Sequence, residues 1–445
     1  MIFEIAACVA SLAILLQIIR RRPPSLGLPL AYLASLLLIH VPGAFAHWVS
    51  GDRLEGGEFV EIGIRYTAVG CCCYVFGVWL ARRMMPQPEA PAPADRRAFA
   101  VFCLIGGWIF VYGLSALARI PSLGAAINSG GAVWMLGALL GLRAAFAAGS
   151  LQRILIWCGA LAVYPIIMLV AGGFLSYGAA AVMIVISVLA ILARSYWRAV
   201  GGVALASLIG LTLFVNYFEH REDIRESVWG GASVSNRIDS VGEIFTNFHL
   251  IDLDSEKDLV ALDQRLNQNL FVGLAATRIG DGEVDYLNGQ SVINGLVALV
   301  PRAFWADKPV TGGSGQIVAD MTGLELNEDT SWGVGNVMEF YINFGLPGLV
   351  GGFVSLGWLI GFLDLKAATA EWRGDLKSVF VYFLPAVAVI QPGASLVEIS
   401  GSAGAALLVA YGWRWLWTMQ AGRRAPARAR VAGPPLPNPG AGGAV

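Results

Sequence analysis

The sequence predicts an all-α polytopic membrane protein, and three observations carry that prediction. Of 445 residues, 56% are hydrophobic and only 14% are charged, whereas soluble domains are about a quarter charged. The apolar residues fall into runs close to the roughly 20 residues that cross hydrocarbon as a helix. Lys and Arg collect in alternate short connections between those runs, the pattern that marks a cytoplasmic side.

Eleven runs qualify as spans: 2–19, 26–49, 61–80, 98–118, 129–147, 154–172, 175–193, 199–217, 346–364, 378–394 and 402–418. The first is not preceded by a basic region. Its positive cluster, Arg20, Arg21 and Arg22, follows it instead, which reads as a retained span and not a cleaved signal. The connections after odd-numbered spans carry that cluster, then Arg82, Arg83, Arg96 and Arg97, then Arg143 and Arg153. Next come Arg194 and Arg198, then Lys366, Arg373 and Lys377, and finally the tail arginines. The even-numbered connections are poor in positive charge. The alternation predicts an extracytoplasmic N-terminus and a cytoplasmic C-terminus.

The expected organisation has four parts. Residues 1–217 hold spans 1–8 and a Pro-rich cytoplasmic linker at 85–95. Residues 218–345 form one large extracytoplasmic loop between spans 8 and 9, residues 346–420 hold spans 9–11, and 421–445 form a disordered basic cytoplasmic tail. Such a tail is too poor in apolar residues to fold and suits anionic lipid headgroups. No basic stripe lies on a foldable soluble region, which argues against nucleic acid as a partner. No internal repeat is evident, which disfavours transporters built from duplicated halves.

Six cysteines, at 8, 71, 72, 73, 103 and 158, all lie in apolar runs. They predict packing residues and no disulfide framework. The four His are scattered without metal-ligand spacing. Asp252 and Asp254 form an Asp-x-Asp pair that could hold Mg²⁺ with phosphate, but in IDLDSEKD they read as a solvated loop. His40 and His47 fall seven apart in the second span, on one expected helical face; His47 is close enough to the boundary to be wet. Glu4 and Arg65 sit near outward ends, where snorkelling accounts for them, and Arg143 sits at an inward end.

Of the chain's 31 Asp and Glu, 20 lie in residues 218–345, against eight Lys and Arg. Two strings in this loop stand out. GQSVINGLVALVPRAFWADKP, residues 289–309, begins with an apolar stretch too short to span, expected to lie on the membrane or dip between helices. It ends with Arg302, Trp305, Asp307 and Lys308, which suit headgroup level; an ordinary interfacial anchor would look the same. SWGVGNVMEFYINFGLPG, residues 331–348, brings Glu339 and Tyr341 to the membrane boundary, with Gly345, Pro347 and Gly348 permitting a sharp bend. Its plain alternative is a helix start with a solvated Glu.

These strings resemble the O-antigen polymerase (Wzy-like) family, also called oligosaccharide repeat-unit polymerases. The resemblance rests on Pro301, Arg302, Trp305, Lys308 and Pro309, and on Glu339, Tyr341, Asn343, Phe344, Gly345 and Gly348. Many spans with one long extracytoplasmic loop in the C-terminal half agree with it. The resemblance implies a GT-C-like glycosyltransferase of the bacterial inner membrane that needs neither cofactor nor metal. Its substrates would be undecaprenyl-pyrophosphate-linked oligosaccharides, both as donor and as acceptor, with membrane lipid and a polysaccharide chain-length regulator as further partners. The implied reaction needs cations for the leaving pyrophosphate, a base for the acceptor hydroxyl, and aromatic and amide groups for the sugars. Arg302, Arg237 and Glu339 are the expected catalytic residues. Lys308, Asp307, Trp305, Tyr341, Asn343, Arg221, Arg225 and His249 are the expected substrate contacts. Arg221 and Arg225 also read as a charge-paired helix start, and Asp239, Asp307 and His249 are alternatives to Glu339 as base. An O-antigen ligase and a transporter or flippase of lipid-linked glycan are the competing functions; a non-catalytic scaffold is a further one.

Overall fold

The computed structural model describes residues 1–20, 25–86, 92, 94–114, 123–172, 176–193, 195–219, 249–300, 305, 307, 313–325 and 332–429. The described residues are helical, with no strand among them. In chain order the helices are α1 (Ile2–Arg20), α2 (Leu28–Leu38), α3 (Val41–Ser50), α4 (Gly57–Met84), α5 (Arg96–Gly113) and α6 (Leu123–Asn128). They continue with α7 (Gly130–Ala147), α8 (Leu151–Gly172), α9 (Ser176–Leu192), α10 (Tyr196–Glu219), α11 (Glu256–Arg265) and α12 (Asn269–Gly280). The last five are α13 (Gln290–Ala298), α14 (Ser314–Thr322), α15 (Asn336–Trp372), α16 (Leu376–Val389) and α17 (Leu396–Ala429). Among the described residues, eight helices (the α2–α3 pair counted once) are long and apolar enough to cross a membrane. Three more apolar stretches, in α8, α9 and α16, are shorter. This is the make-up of a multi-pass membrane protein.

Helices surrounded by lipid gain nothing from burying apolar side chains against each other, so they associate where small residues let backbones approach. The central pair, α4 and α15, follows that rule. Gly77 faces the Val354 carbonyl and the Trp358 backbone, Gly357 faces the Tyr74 carbonyl, and Gly70 lies under the Phe353 ring. At the other end of α4, Gly63 faces the backbone of Asn269, and Gly273 of α12 faces the Phe59 carbonyl. Residues 269–280 therefore pack directly on a membrane helix. A methyl group at Gly77 would meet backbone, which cannot move aside. Gly77→Ala is therefore expected to destabilise by about 1–3 kcal/mol, read as thermal unfolding in detergent. Gly412→Ala, whose added methyl meets open space, is the control.

The expected continuous span at 26–49 is in fact two helices. α2 ends at Leu38, and His40 is the residue before α3, with Pro42 in the first turn of α3. Proline lacks an N–H, so the helix ladder cannot run through it. In hydrocarbon the freed backbone groups need protein partners, and the linker between α11 and α12 supplies them. Gln268 N–H donates to the Ile39 carbonyl (2.9 Å), and Gly43 N–H donates to the Leu266 carbonyl (3.1 Å). Asn269 Nδ2 donates to the His40 carbonyl (2.7 Å). With Nδ2 so used, Asn269 Oδ1 is the acceptor for His40 Nδ1–H (2.8 Å) and the Thr67 hydroxyl (3.1 Å). His47, expected to be wet, is 4% exposed and bonded through Nε2 to Asp263 Oδ1 (2.8 Å).

A second polar cluster joins α15 to the segment before α2. Asp364 is fully buried and accepts from the Ser25 hydroxyl (2.7 Å), Leu26 N–H (2.9 Å) and Leu28 N–H (3.3 Å). Two turns on, Glu371 pairs with Arg96 (2.6 Å) and Arg143 (3.7 Å). Arg143, expected as a topological marker, thus also ties α7 to α15.

Candidate functional site

The candidate site lies where α13, α15 and α17 meet. The start of α15 is fixed by Asn336, whose N–H donates to the Pro392 carbonyl (2.8 Å) and whose Oδ1 accepts from the Tyr32 hydroxyl (2.7 Å). That register turns Glu339 toward the first residue of α17. Glu339 is fully buried, and its Oε2 accepts from Leu396 N–H at 2.7 Å. A carboxylate is favoured at the N-terminus of a helix, where N–H groups lack partners. Glu398 does the same service beside it, accepting from Ser395 N–H (2.8 Å) and the Ser314 hydroxyl (2.9 Å).

The second oxygen of Glu339, Oε1, is enclosed and has no hydrogen-bond partner. One turn along the same face, Asn343 donates through Nδ2 to the Glu339 carbonyl (2.6 Å) and to Ser291 Oγ (2.7 Å). Its Oδ1 is likewise enclosed and unpartnered. The reading of Glu339 as a solvated helix-start residue is therefore corrected. Buried polar groups are nearly always satisfied, so two free buried acceptors on one helix face mark this spot out.

Just beyond Asn343 the helix breaks. Phe344 (φ −145°, ψ 19°) and Gly345 (φ 63°, ψ −145°) leave helical geometry, and Pro347 follows. The dihedrals of Gly345 are ones a side chain tolerates poorly, and Tyr286 packs against it. Beside the break, an apolar groove of about 770 Å³ runs between the three helices, lined among others by Val292, Leu296, Phe340, Pro347 and Leu396, with Asn343, Ser355 and Ser400 its polar lining. The stretch expected to lie on or dip into the membrane, 288–300, forms α13. Its Ser291, Gly295 and Ala298 are buried while Ile293, Leu296, Leu299 and Val300 are exposed. An apolar face left open in this way suits lipid contact.

The expected site residues distribute as follows. Glu339 and Asn343 come together. Tyr341 points to the opposite side of α15, where its ring packs tilted against Tyr66 at 4.5 Å between ring centres, their hydroxyls 3.4 Å apart. Trp305 and Asp307 are exposed. His249 belongs to another cluster: its backbone is clamped by Asn216, its Nε2 lies 3.6 Å from Asp258 Oδ1, and its Nδ1 lies 3.9 Å from Glu219 Oε2. Glu219, His249 and Asp258 offer one N and two O ligand atoms within 4.8 Å of one another. The two carboxylates approach different ring nitrogens of His249. Asp252 and Asp254 are exposed, and Asp254 N–H bonds to Asp252 Oδ1 (2.9 Å). Arg302, Arg237, Lys308, Arg221, Arg225 and Asp239 lie outside the described residues. Ser291 and Glu398 were not foreseen; the signal for Ser291 was a lone hydroxyl at the head of an apolar run.

The fold and this site together define a helical protein of the multi-pass membrane class with a buried carboxylate beside an apolar groove. The chain belongs to a family known as a domain of unknown function, DUF8712, whose model matches residues 58–371. No curated protein and no solved structure matches it. The matched region runs from the start of α4 into the last turn of α15 and includes both strings singled out above.

Proposed function

We propose that this protein is a polymerase of the bacterial inner membrane that joins undecaprenyl-pyrophosphate-linked oligosaccharide units on the extracytoplasmic face. Eleven crossings, an outward N-terminus and a cytoplasmic C-terminus belong to this reading. The observation that carries it is the buried Glu339 carboxylate, with one free oxygen, beside a groove wide and apolar enough for a lipid chain. Glu339 takes the proton of the acceptor hydroxyl as that oxygen bonds to the anomeric carbon of the donor. The bond from that carbon to the pyrophosphate breaks, and the lipid pyrophosphate leaves with the electron pair. Arg302, Arg237 and Lys308 neutralise the leaving group. Trp305, Asp307, Asn343, Arg221 and Arg225 are the substrate contacts of the same reading, whereas Tyr341, against Tyr66, and His249, beside Glu219 and Asp258, have no part in it.

One observation favours a second reading, a transporter of lipid-linked glycan: interrupted helices such as α2–α3 recur at transporter binding sites. Deletion and reconstitution separate the possibilities. Loss of a polymerase leaves single repeat units on the final acceptor, and loss of a ligase accumulates undecaprenyl-linked polymer. A transporter, once purified, moves the lipid-linked unit across vesicles and joins nothing. Normal product length from Arg302→Ala, Arg237→Ala and Glu339→Ala at matched expression would remove the polymerase site from consideration.

A further inference from the structure

We propose that Glu219, His249 and Asp258 bind a divalent transition-metal ion, zinc by the chemistry of its donors, and that the ion fastens the segment entering α11 to the end of α10. The site stands apart from the proposed glycan chemistry, no step of which passes through it. Among the described residues this is the one group of three His, Cys, Asp or Glu side chains whose ligand atoms converge. Nε2 of His249 lies 3.6 Å from Asp258 Oδ1, and its Nδ1 lies 3.9 Å from Glu219 Oε2. Both distances exceed hydrogen-bond length. His47 is the contrast, with its Nε2 bonded directly to Asp263 Oδ1 at 2.8 Å. Donors that converge without bonding to one another leave the space that an ion fills; around a tetrahedral zinc such atoms lie about 3.3–3.5 Å apart. Two carboxylates and a neutral imidazole bring two negative charges to one doubly charged ion.

Two of the ligands are oriented by partners of their own, as metal ligands are. Asn216, fully buried on α10, takes both backbone groups of His249, donating to its carbonyl (2.8 Å) and accepting from its N–H (3.0 Å). Asp258 Oδ2 accepts from Asp252 N–H at 2.8 Å, which leaves Oδ1 toward His249, with the Ser255 hydroxyl 3.3 Å from it. Asp258 is 3% exposed and forms the fixed side of the site. Glu219, 37% exposed, is the last residue of α10, where unpartnered carbonyls repel a carboxylate and attract a cation. An imidazole binds an ion through one nitrogen, so Glu219 is the ligand that swings to close the set. Imidazole favours zinc over calcium and magnesium, which take oxygen ligands. Three protein ligands leave a fourth position open to water. The two helices already share a core through Val215, Leu259 and Leu262. α11 leads into the linker that satisfies the α2–α3 interruption, so the ion steadies that linker from its far end.

Full-length protein in detergent, stripped with a chelator and dialysed against zinc, tests this. By elemental analysis it is expected to retain one zinc per chain more than His249→Ala does. Cobalt in place of zinc is expected to give visible absorption that His249→Ala lacks, which separates this site from metal held by the free cysteines. Zinc is expected to raise the unfolding temperature of the stripped protein, and calcium at the same concentration to leave it unchanged. Glu219→Gln alters only a side chain at an exposed helix end. Without zinc it is expected to unfold with the unaltered protein, and its zinc affinity is expected to fall at least about tenfold. Equal zinc content or equal cobalt spectra in the unaltered protein and His249→Ala would overturn the proposal. So would a stripped protein whose unfolding temperature zinc does not move, or a zinc-induced rise that survives both substitutions.

Discussion

Replacing Glu339 with Gln is expected to slow glycan joining by roughly 10²- to 10⁴-fold, the range a positioned general base supplies. The substitution is chosen for what it keeps. Its side-chain carbonyl can still accept from Leu396 N–H, the 2.7 Å bond that anchors the start of α17. Volume is conserved in a site with no solvent exposure, so the unfolding temperature is expected to stay close to that of the unaltered protein. Only the capacity to take a proton is lost. Glu339→Leu differs: it leaves a helix-terminal N–H without an acceptor, at about 1–3 kcal/mol. Initial rates with purified lipid-linked units, beside thermal unfolding of the same samples, distinguish the two substitutions. A Gln variant that joins glycan at the unaltered rate would end the case for Glu339 as base.

The largest expected effect on stability is at the other end of α15. Asp364→Leu removes the acceptor shared by the Ser25 hydroxyl and the N–H groups of Leu26 and Leu28. Three donors are then left in a fully buried place, at about 1 kcal/mol or more each. Arg82, the opposing charge acting on Asp364, loses its counterpart as well. A total of about 3–5 kcal/mol is expected, large for a single substitution. Asp364→Asn, which retains one acceptor oxygen, is expected to lose less. Thermal unfolding in detergent measures both; a Leu variant melting with the unaltered protein would show that this carboxylate does not hold the two segments together.

The helices were legible because hydrocarbon imposes length and apolarity on every crossing, and those are properties of single runs. The break at residues 39–40 was not read. SLLLIHVPGAFA is apolar apart from Ser35 and His40, and a hydropathy window does not register a missing N–H. Pro42, Gly43 and His40 together were the available signal, since a proline inside a helical pattern interrupts it. The bend at Gly345 was anticipated because its string carries Gly, Pro and Gly within four positions. At the site, Glu339 and Asn343 lie four apart, so one face of one helix brings them together by local geometry alone. Tyr341, two positions from Glu339, had to point elsewhere for the same reason. Ser291 reaches Asn343 from 52 residues away and Leu396 reaches Glu339 from 57, and nothing local encodes such meetings. Asp364 was hidden at the end of an expected span, where a charge reads as a boundary marker.

The interruption between α2 and α3 also bears on the order in which the chain can be completed. The Ile39 carbonyl and the Gly43 N–H find their partners only in the linker more than 220 residues later, and the His40 carbonyl, which also accepts from Ala44 N–H, takes a second bond from Asn269. At about 5–20 residues per second, ribosomes deliver that linker roughly 10–45 s after α3. During that interval the interrupted α2–α3 span holds the Ile39 carbonyl and the Gly43 N–H without those partners. It therefore needs water, a translocon wall or a membrane chaperone as temporary partner, and chains released before residue 266 are expected to be substrates for membrane proteolysis.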